Sequence, residues 1–216
     1  MIRLYGEART REIIAEQADW ICALSRRYGV PAACVQAILY QEITQLDLLD
    51  IAADLAVKFY WLRYRLRRAL GFRRAEPALR WWAFGKRDSS TGYAQIFAYV
   101  AINAINFALE RGIAEEAELL LPAAAPLHPE EPEHLRLIWA RLHRDRRFNT
   151  LCAALNLLAA AQEMTGRIDF PGCSAEELKL ILTRYNADVR HVTAYGERAY
   201  RMYLEYRQSS GGEDAP

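Results

Sequence analysis

The stretch Ala37-Ile38-Leu39-Tyr40-Gln41-Glu42-Ile43-Thr44 places one carboxylic acid at the end of an otherwise apolar helical run. Upstream, Gly29 suits the close of one helix and Pro31 the first turn of the next, whose inward positions are Val35, Ile38 and Leu39. A carboxyl sheltered by such side chains resists ionisation, because leaving water penalises its charged form. The negative end of the helix dipole acts in the same direction. Glu42 is therefore a candidate proton donor, the type of group that glycosidic cleavage requires at its leaving oxygen. Taken alone, it also fits a solvated glutamate at a helix end.

Working outward, helical periodicity fills the chain. Ile13, Ile14, Ala18, Ile21 and Leu24 predict a first helix over 9–27. Asp47 and Asp50 stand three apart, as in a capping box, at the start of a helix that fades near Leu70-Gly71. Residues 71–92 read as irregular, and helical spacing resumes from Tyr93 to Glu110. A connection containing Pro122, Pro126, Pro129 and Pro132 follows, and further helices are expected over 133–144, 147–164, 174–185 and 188–207, with Ser174 and Glu177 as a second capping box. No β-hairpin or glycine-rich βαβ unit is expected. The reading is all-α, one domain over 1–208 with a disordered tail over 209–216.

At 52% hydrophobic and 25% charged residues, the 216-residue chain has the composition of a folded globular domain. No apolar run is long enough to span a bilayer, and the N-terminus has no signal-peptide pattern, so a soluble protein made in the cytoplasm is expected. Cys22, Cys34, Cys152 and Cys173 show no paired spacing and read as buried free thiols; the four histidines are scattered. No metal or other cofactor is expected. Charge is uneven: from Lys58 to Arg87 there are ten basic residues and one acid, Glu76, with Trp61, Trp81 and Trp82 among them. Such a stretch favours an acidic partner: a wall polymer, a nucleic acid or an anionic membrane surface. A solvated amphipathic helix would carry the same residues.

Two further segments carry polar groups suited to a ligand. In Asp88-Ser89-Ser90-Thr91-Gly92-Tyr93-Ala94-Gln95-Ile96, Gly92 permits close backbone approach, and the hydroxyls of Ser89 and Ser90 with the Gln95 amide offer neutral hydrogen-bonding groups. The same residues fit an N-cap, with Ser90 or Thr91 starting the next helix. Tyr185-Asn186 could flank a sugar, or form a helix C-cap beside tyrosines at the core edge.

The order of these segments resembles the lysozyme-like superfamily, with lytic transglycosylases and goose-type lysozymes nearest in pattern: a helix ending in Glu, then S-x-G-x-x-Q, then a later Y-N pair. The resemblance covers residues 30–206 as an ordered set of motifs. It implies peptidoglycan cleavage with Glu42 as the acid, Ser90, Gly92 and Gln95 lining the cleft, and Tyr185 and Asn186 bordering the sugar. The segment Arg147-Phe148-Asn149 to Leu158 is similar to the family's helix after its short N-x-x-x-A motif. Residues 47–87 then form an insertion between the acid and the serine segment, and Ile43 stands where transglycosylases place Ser. Asp88 is the expected second carboxylate, holding a water as an inverting enzyme needs; Asp47, Asp50 and Asp54 read as a solvated face. The alternative is a peptidoglycan- or partner-binding protein on the same scaffold.

Overall fold

The computed structural model describes residues 3–71, 87–121 and 123–209. The structure is helical, and among the described residues it has isolated bridges but no strand. The helices are α1 (Glu7–Ala15), α2 (Ala18–Tyr28), α3 (Ala32–Gln45), α4 (Leu48–Ala69), α5 (Ala98–Glu110), α6 (Glu116–Leu119), α7 (Pro132–Arg144), α8 (Arg146–Thr165), α9 (Ala175–Asn186) and α10 (Ala194–Ser209).

Two helices are buried on most of their circumference, α3 and α8. From Ala32 to Leu39 only Gln36 of α3 escapes full burial, and α8 buries an unbroken run from Phe148 to Leu155. A helix apolar on all sides belongs in the middle of a domain. α8 packs against α2, α3, α5, α7 and α9, while α3 lies between α10, α1 and α2. Ala153, Ala154, Ala160 and Ala161 on α8 are all buried and keep those approaches close.

Local signals hold where the chain itself supplies both partners. Gly29 closes α2 at φ 71°, its N–H on Ser25 O, and Pro31 precedes α3. The Asp47–Asp50 box starts α4, and the Ser174–Glu177 box starts α9. The expected helix over 9–27 is instead two. Gln17 leaves helical geometry, and its buried side chain accepts a hydrogen bond from Thr150 Oγ1 of α8 at 2.9 Å. The helix expected from Tyr93 begins at Ala98. Residues 91–96 form a tight turn instead, closed by reciprocal Thr91–Ile96 backbone hydrogen bonds. α6 was not expected, and α10 starts later than its periodicity implied.

The proline-containing connection is tied down at Leu127, which is fully buried and exchanges two hydrogen bonds with the Asn106 side chain of α5. Cys34 and Cys152 are buried thiols as expected, but Cys22 is exposed on α2 and Cys173 is half-buried; none of the four is in a disulfide. Residues 72–86 of the basic stretch, with Trp81 and Trp82, lie outside the described residues, as does the tail from 210. No helix is long and apolar enough to cross a membrane, and no group of side chains could hold a metal ion, among the described residues.

α9 and α10 cross at Gly196. A methyl there would fall 2.7 Å from the Lys179 backbone oxygen and closer still to Thr183 Oγ1. Gly196→Ala should therefore push the helices apart and destabilise the fold by about 1–3 kcal/mol. Urea denaturation checks this; an unchanged midpoint would show that the crossing is not tightly packed.

Candidate active site

Glu42 sits in the last turn of α3, and its half-buried side chain faces a cleft of about 380 Å³. The cleft is lined by Glu42, Asp50, Ser90, Gln95, Tyr185 and Asn186, among others. Residues expected from three separate segments thus share one wall-to-wall depression. Asn156 of α8 and Asp47 also reach it.

The Glu42 carboxyl accepts a hydrogen bond from Tyr195 Oη on its Oε1, at 2.5 Å. Its pKa is pushed up to about 7: burial raises it most, the Tyr195 hydrogen bond opposes that, and the negative charge of Asp50 adds to the rise. Burial holds the Tyr195 phenol well above its ordinary pKa, so it remains a donor. With Oε1 occupied by an incoming O–H, the acidic proton belongs on Oε2, the oxygen left to meet a ligand. No local pattern in the sequence gives Tyr195 this role. Its partner lies 153 positions away, beyond the reach of periodicity.

The polar loop is shaped by Asn149 of α8. Its side chain donates to Thr91 O and accepts from Ala94 N–H, at 2.9 and 2.8 Å. Gly92 has φ 72°, and a Cβ there would collide with the Asn149 amide at 2.4 Å. Gly92 is therefore not a wall of the cleft but the residue that lets Asn149 grip the turn. Gln95 adopts the left-handed region at φ 43°, unusual for a residue with a side chain, and its Nε2 donates to Gly92 O at 2.8 Å. The Gln95 side chain also lines the cleft. Tyr185 Oη donates to Ala94 O at 2.7 Å, so this hydroxyl braces the loop and the ring faces the cleft. Asn186 ends α9 with Ala187 as its cap, rather than forming a left-handed cap itself.

Two expected residues are placed elsewhere. Ser89 is buried, donating to Asp54 Oδ1 at 2.8 Å and accepting from the Trp139 indole at 3.0 Å. Asp88 does not line the cleft. Its two oxygens accept the N–H groups of Ala98 and Tyr99, both at 3.0 Å, and so cap α5 in place of Ser90 or Thr91. Burial pushes its pKa up to about 6, against those hydrogen bonds. An anion committed to a helix terminus is not free to activate water. Asp47, Asp50 and Asp188 line the cleft with Glu42, and the one whose charge acts on Glu42 is Asp50. Its Oδ2 accepts the Asp47 N–H at 3.0 Å, and burial raises its pKa. The aspartates of α4 were read as a solvated face. Their inward direction depends on how α4 docks, which the 3.6-residue period leaves open.

No protein-family model matches the chain, and no curated protein or solved structure is significantly similar to it. What the cleft can do rests on its own chemistry: a half-buried acid whose pKa is raised to about 7, a nearby carboxylate, and neutral amide, hydroxyl and aromatic groups around them.

The raised pKa of Glu42 has a consequence for stability. Below about pH 4.5 the group is protonated folded and unfolded alike. As pH climbs towards 7 the unfolded chain releases that proton and the folded one retains it, so stability falls, and the loss is complete above 7. Glu42→Gln removes the dependence. Relative to wild type, the variant should gain about 2–3 kcal/mol between pH 4.5 and pH 8, as each pKa unit is worth about 1.4 kcal/mol. Denaturation at the two pH values measures it; a constant difference would mean that Glu42 titrates normally.

Proposed function

We propose that the protein cleaves the glycan strand of peptidoglycan, with Glu42 as general acid. The observation that carries this reading is the meeting of Glu42, Ser90, Gln95, Tyr185 and Asn186 in one cleft around a carboxyl shifted to about 7. These are the positions at which the sequence resembles the lysozyme-like superfamily, and residues so distant along the chain have no local reason to converge.

In this reading, Glu42 Oε2 delivers its proton to the glycosidic oxygen as the bond to the anomeric carbon breaks. Tyr195 donates to Oε1 and steadies the carboxylate that results. Gln95 and Ser90 present a carbonyl and a hydroxyl to the sugar, and the Tyr185 ring offers it an apolar face. Two routes complete the reaction. Water can add to the anomeric carbon, with Asp50, a carboxylate that lines the cleft, taking its proton. Alternatively, the 6-hydroxyl of the same sugar closes a 1,6-anhydro ring, with Glu42 recovering a proton as base and the substrate's N-acetyl group stabilising the positive charge. The second route needs no second carboxylate.

Peptidoglycan or partner binding without cleavage is the other reading of the same scaffold. A purely binding cleft has no use for a glutamic acid protonated at neutral pH, and this favours catalysis.

Clearing of a peptidoglycan suspension should fall roughly 10²–10⁴-fold in Glu42→Gln, with the helical circular-dichroism spectrum retained. Undiminished clearing would reject Glu42 as the acid. In the wild type, kcat/KM should decline as pH rises through about 7, where Glu42 loses its proton; a rate still climbing above pH 8 would contradict the assignment. Asp50→Asn separates the routes, since it should suppress a hydrolytic product and spare an anhydro one.

A further inference from the structure

α4 presents two unlike faces. Asp50, Asp54, Val57 and Trp61 follow one another at spacings of four, three and four, and point inward, towards the cleft, the 89–91 loop or the core. The opposite side carries Ile51, Leu55, Phe59, Leu62, Leu66 and Leu70, which the ~100° turn per residue aligns in one stripe. All are exposed; Phe59 is 57% accessible, Leu62 53% and Leu66 56%. Isolated exposed leucines are ordinary, but a continuous apolar stripe along a 22-residue helix marks a contact surface. A shallow groove beside Phe59, Leu62 and Leu66 runs along it.

The borders of the stripe identify the occupant. Lys58 and Arg65 are exposed along one edge and Arg63 along the other, while the aspartates of α4 belong to the inward side. We propose that the outer face of α4 docks on an anionic phospholipid surface, lying in the headgroup layer with its apolar stripe towards the acyl chains. An apolar sector flanked by basic residues on a strongly two-faced helix is the arrangement that binds such interfaces. The charged residues within α4 keep it from spanning the bilayer, in line with the absence of any crossing helix among the described residues. A second copy is a poorer occupant: pairing this face with itself would bring the Lys58 and Arg65 edge against like charges. An acidic polymer would satisfy the basic edges but leave the stripe in water.

The inference stands apart from the chemistry at Glu42, because the stripe lies across the helix from the cleft. Docked this way, α4 would hold the domain at a membrane with the cleft facing away.

Flotation of the full chain with vesicles tests it, comparing phosphatidylglycerol mixed into phosphatidylcholine with phosphatidylcholine alone. Binding should be at least tenfold tighter to the anionic vesicles. Phe59→Ser combined with Leu62→Ser should weaken that binding at least tenfold, with thermal midpoint and helical spectrum unchanged. Lys58→Gln and Arg65→Gln should each weaken it roughly fivefold, and they decide the matter if the double serine variant fails to fold. No binding to anionic vesicles, equal binding to both kinds, or binding that survives loss of the apolar pair would overturn the proposal. So would a lipid-free dimer, seen by light scattering, that the serine substitutions dissolve, since it would assign the face to a second copy.

Discussion

A carboxyl in the last turn of a buried helix must either keep its proton or find compensation for its charge. At Glu42 the compensation is small. One phenol, Tyr195 Oη, donates to it, and among the described residues no cation is paired with it. The arrangement depends on three pieces of packing. α3 is apolar almost all round, which carries Glu42 deep enough to desolvate it. α10 must approach closely enough for Tyr195 to reach across, and Gly196, the next residue, lets α10 settle against the α9 backbone. α8 fills the centre and sends Asn149 to shape the loop that forms the facing wall. Burial is thus the property from which the chemistry of the cleft follows.

How much of this could be read along the chain depended on whether the decisive partners were local. The capping boxes at Asp47–Asp50 and Ser174–Glu177, and the Gly29–Pro31 junction, were legible because each is satisfied within a few residues. Glu42 was legible as a shielded acid for the same reason. Ser90, Gln95, Tyr185 and Asn186 were found through the order of their motifs, and the structure gathers them. Asp88 illustrates the opposite case. Its neighbours suggested a cleft residue, but its oxygens are held by two N–H groups about ten positions on. Ser89 likewise turns inward to Asp54. The break at Gln17, the turn over 91–96 and the inward direction of the α4 aspartates are all set by contacts with α7, α8 or the cleft, and no periodicity carries that information.

The inner face of α4 is linked to the cleft by a polar knot. Asp54 accepts from Ser89 and Thr91, His143 Nδ1 lies 3.1 Å from its Oδ2, and Trp139 stacks on the His143 ring while donating to Ser89. Aspartate, histidine and hydroxyls are all present, yet this is not a nucleophilic triad. Thr91 and Asp54 both approach the same ring nitrogen, so the histidine cannot relay a proton between them. Its physical effect is to tie α4, α7 and the segment flanking Ser90 together. Through Asp54, α4 is therefore joined to the segment that flanks Ser90.

The central claim is that this cleft cuts glycan strands. Mass spectrometry of the soluble products after incubation with purified sacculi addresses it most directly, since it reports the bond broken and the chemistry of the new end together. The account predicts disaccharide-containing muropeptides from the wild-type protein, ending in either a reducing or a 1,6-anhydro sugar, and none from Glu42→Gln. Intact sacculi after incubation with folded wild-type protein, or muropeptides released equally by both proteins, would contradict it.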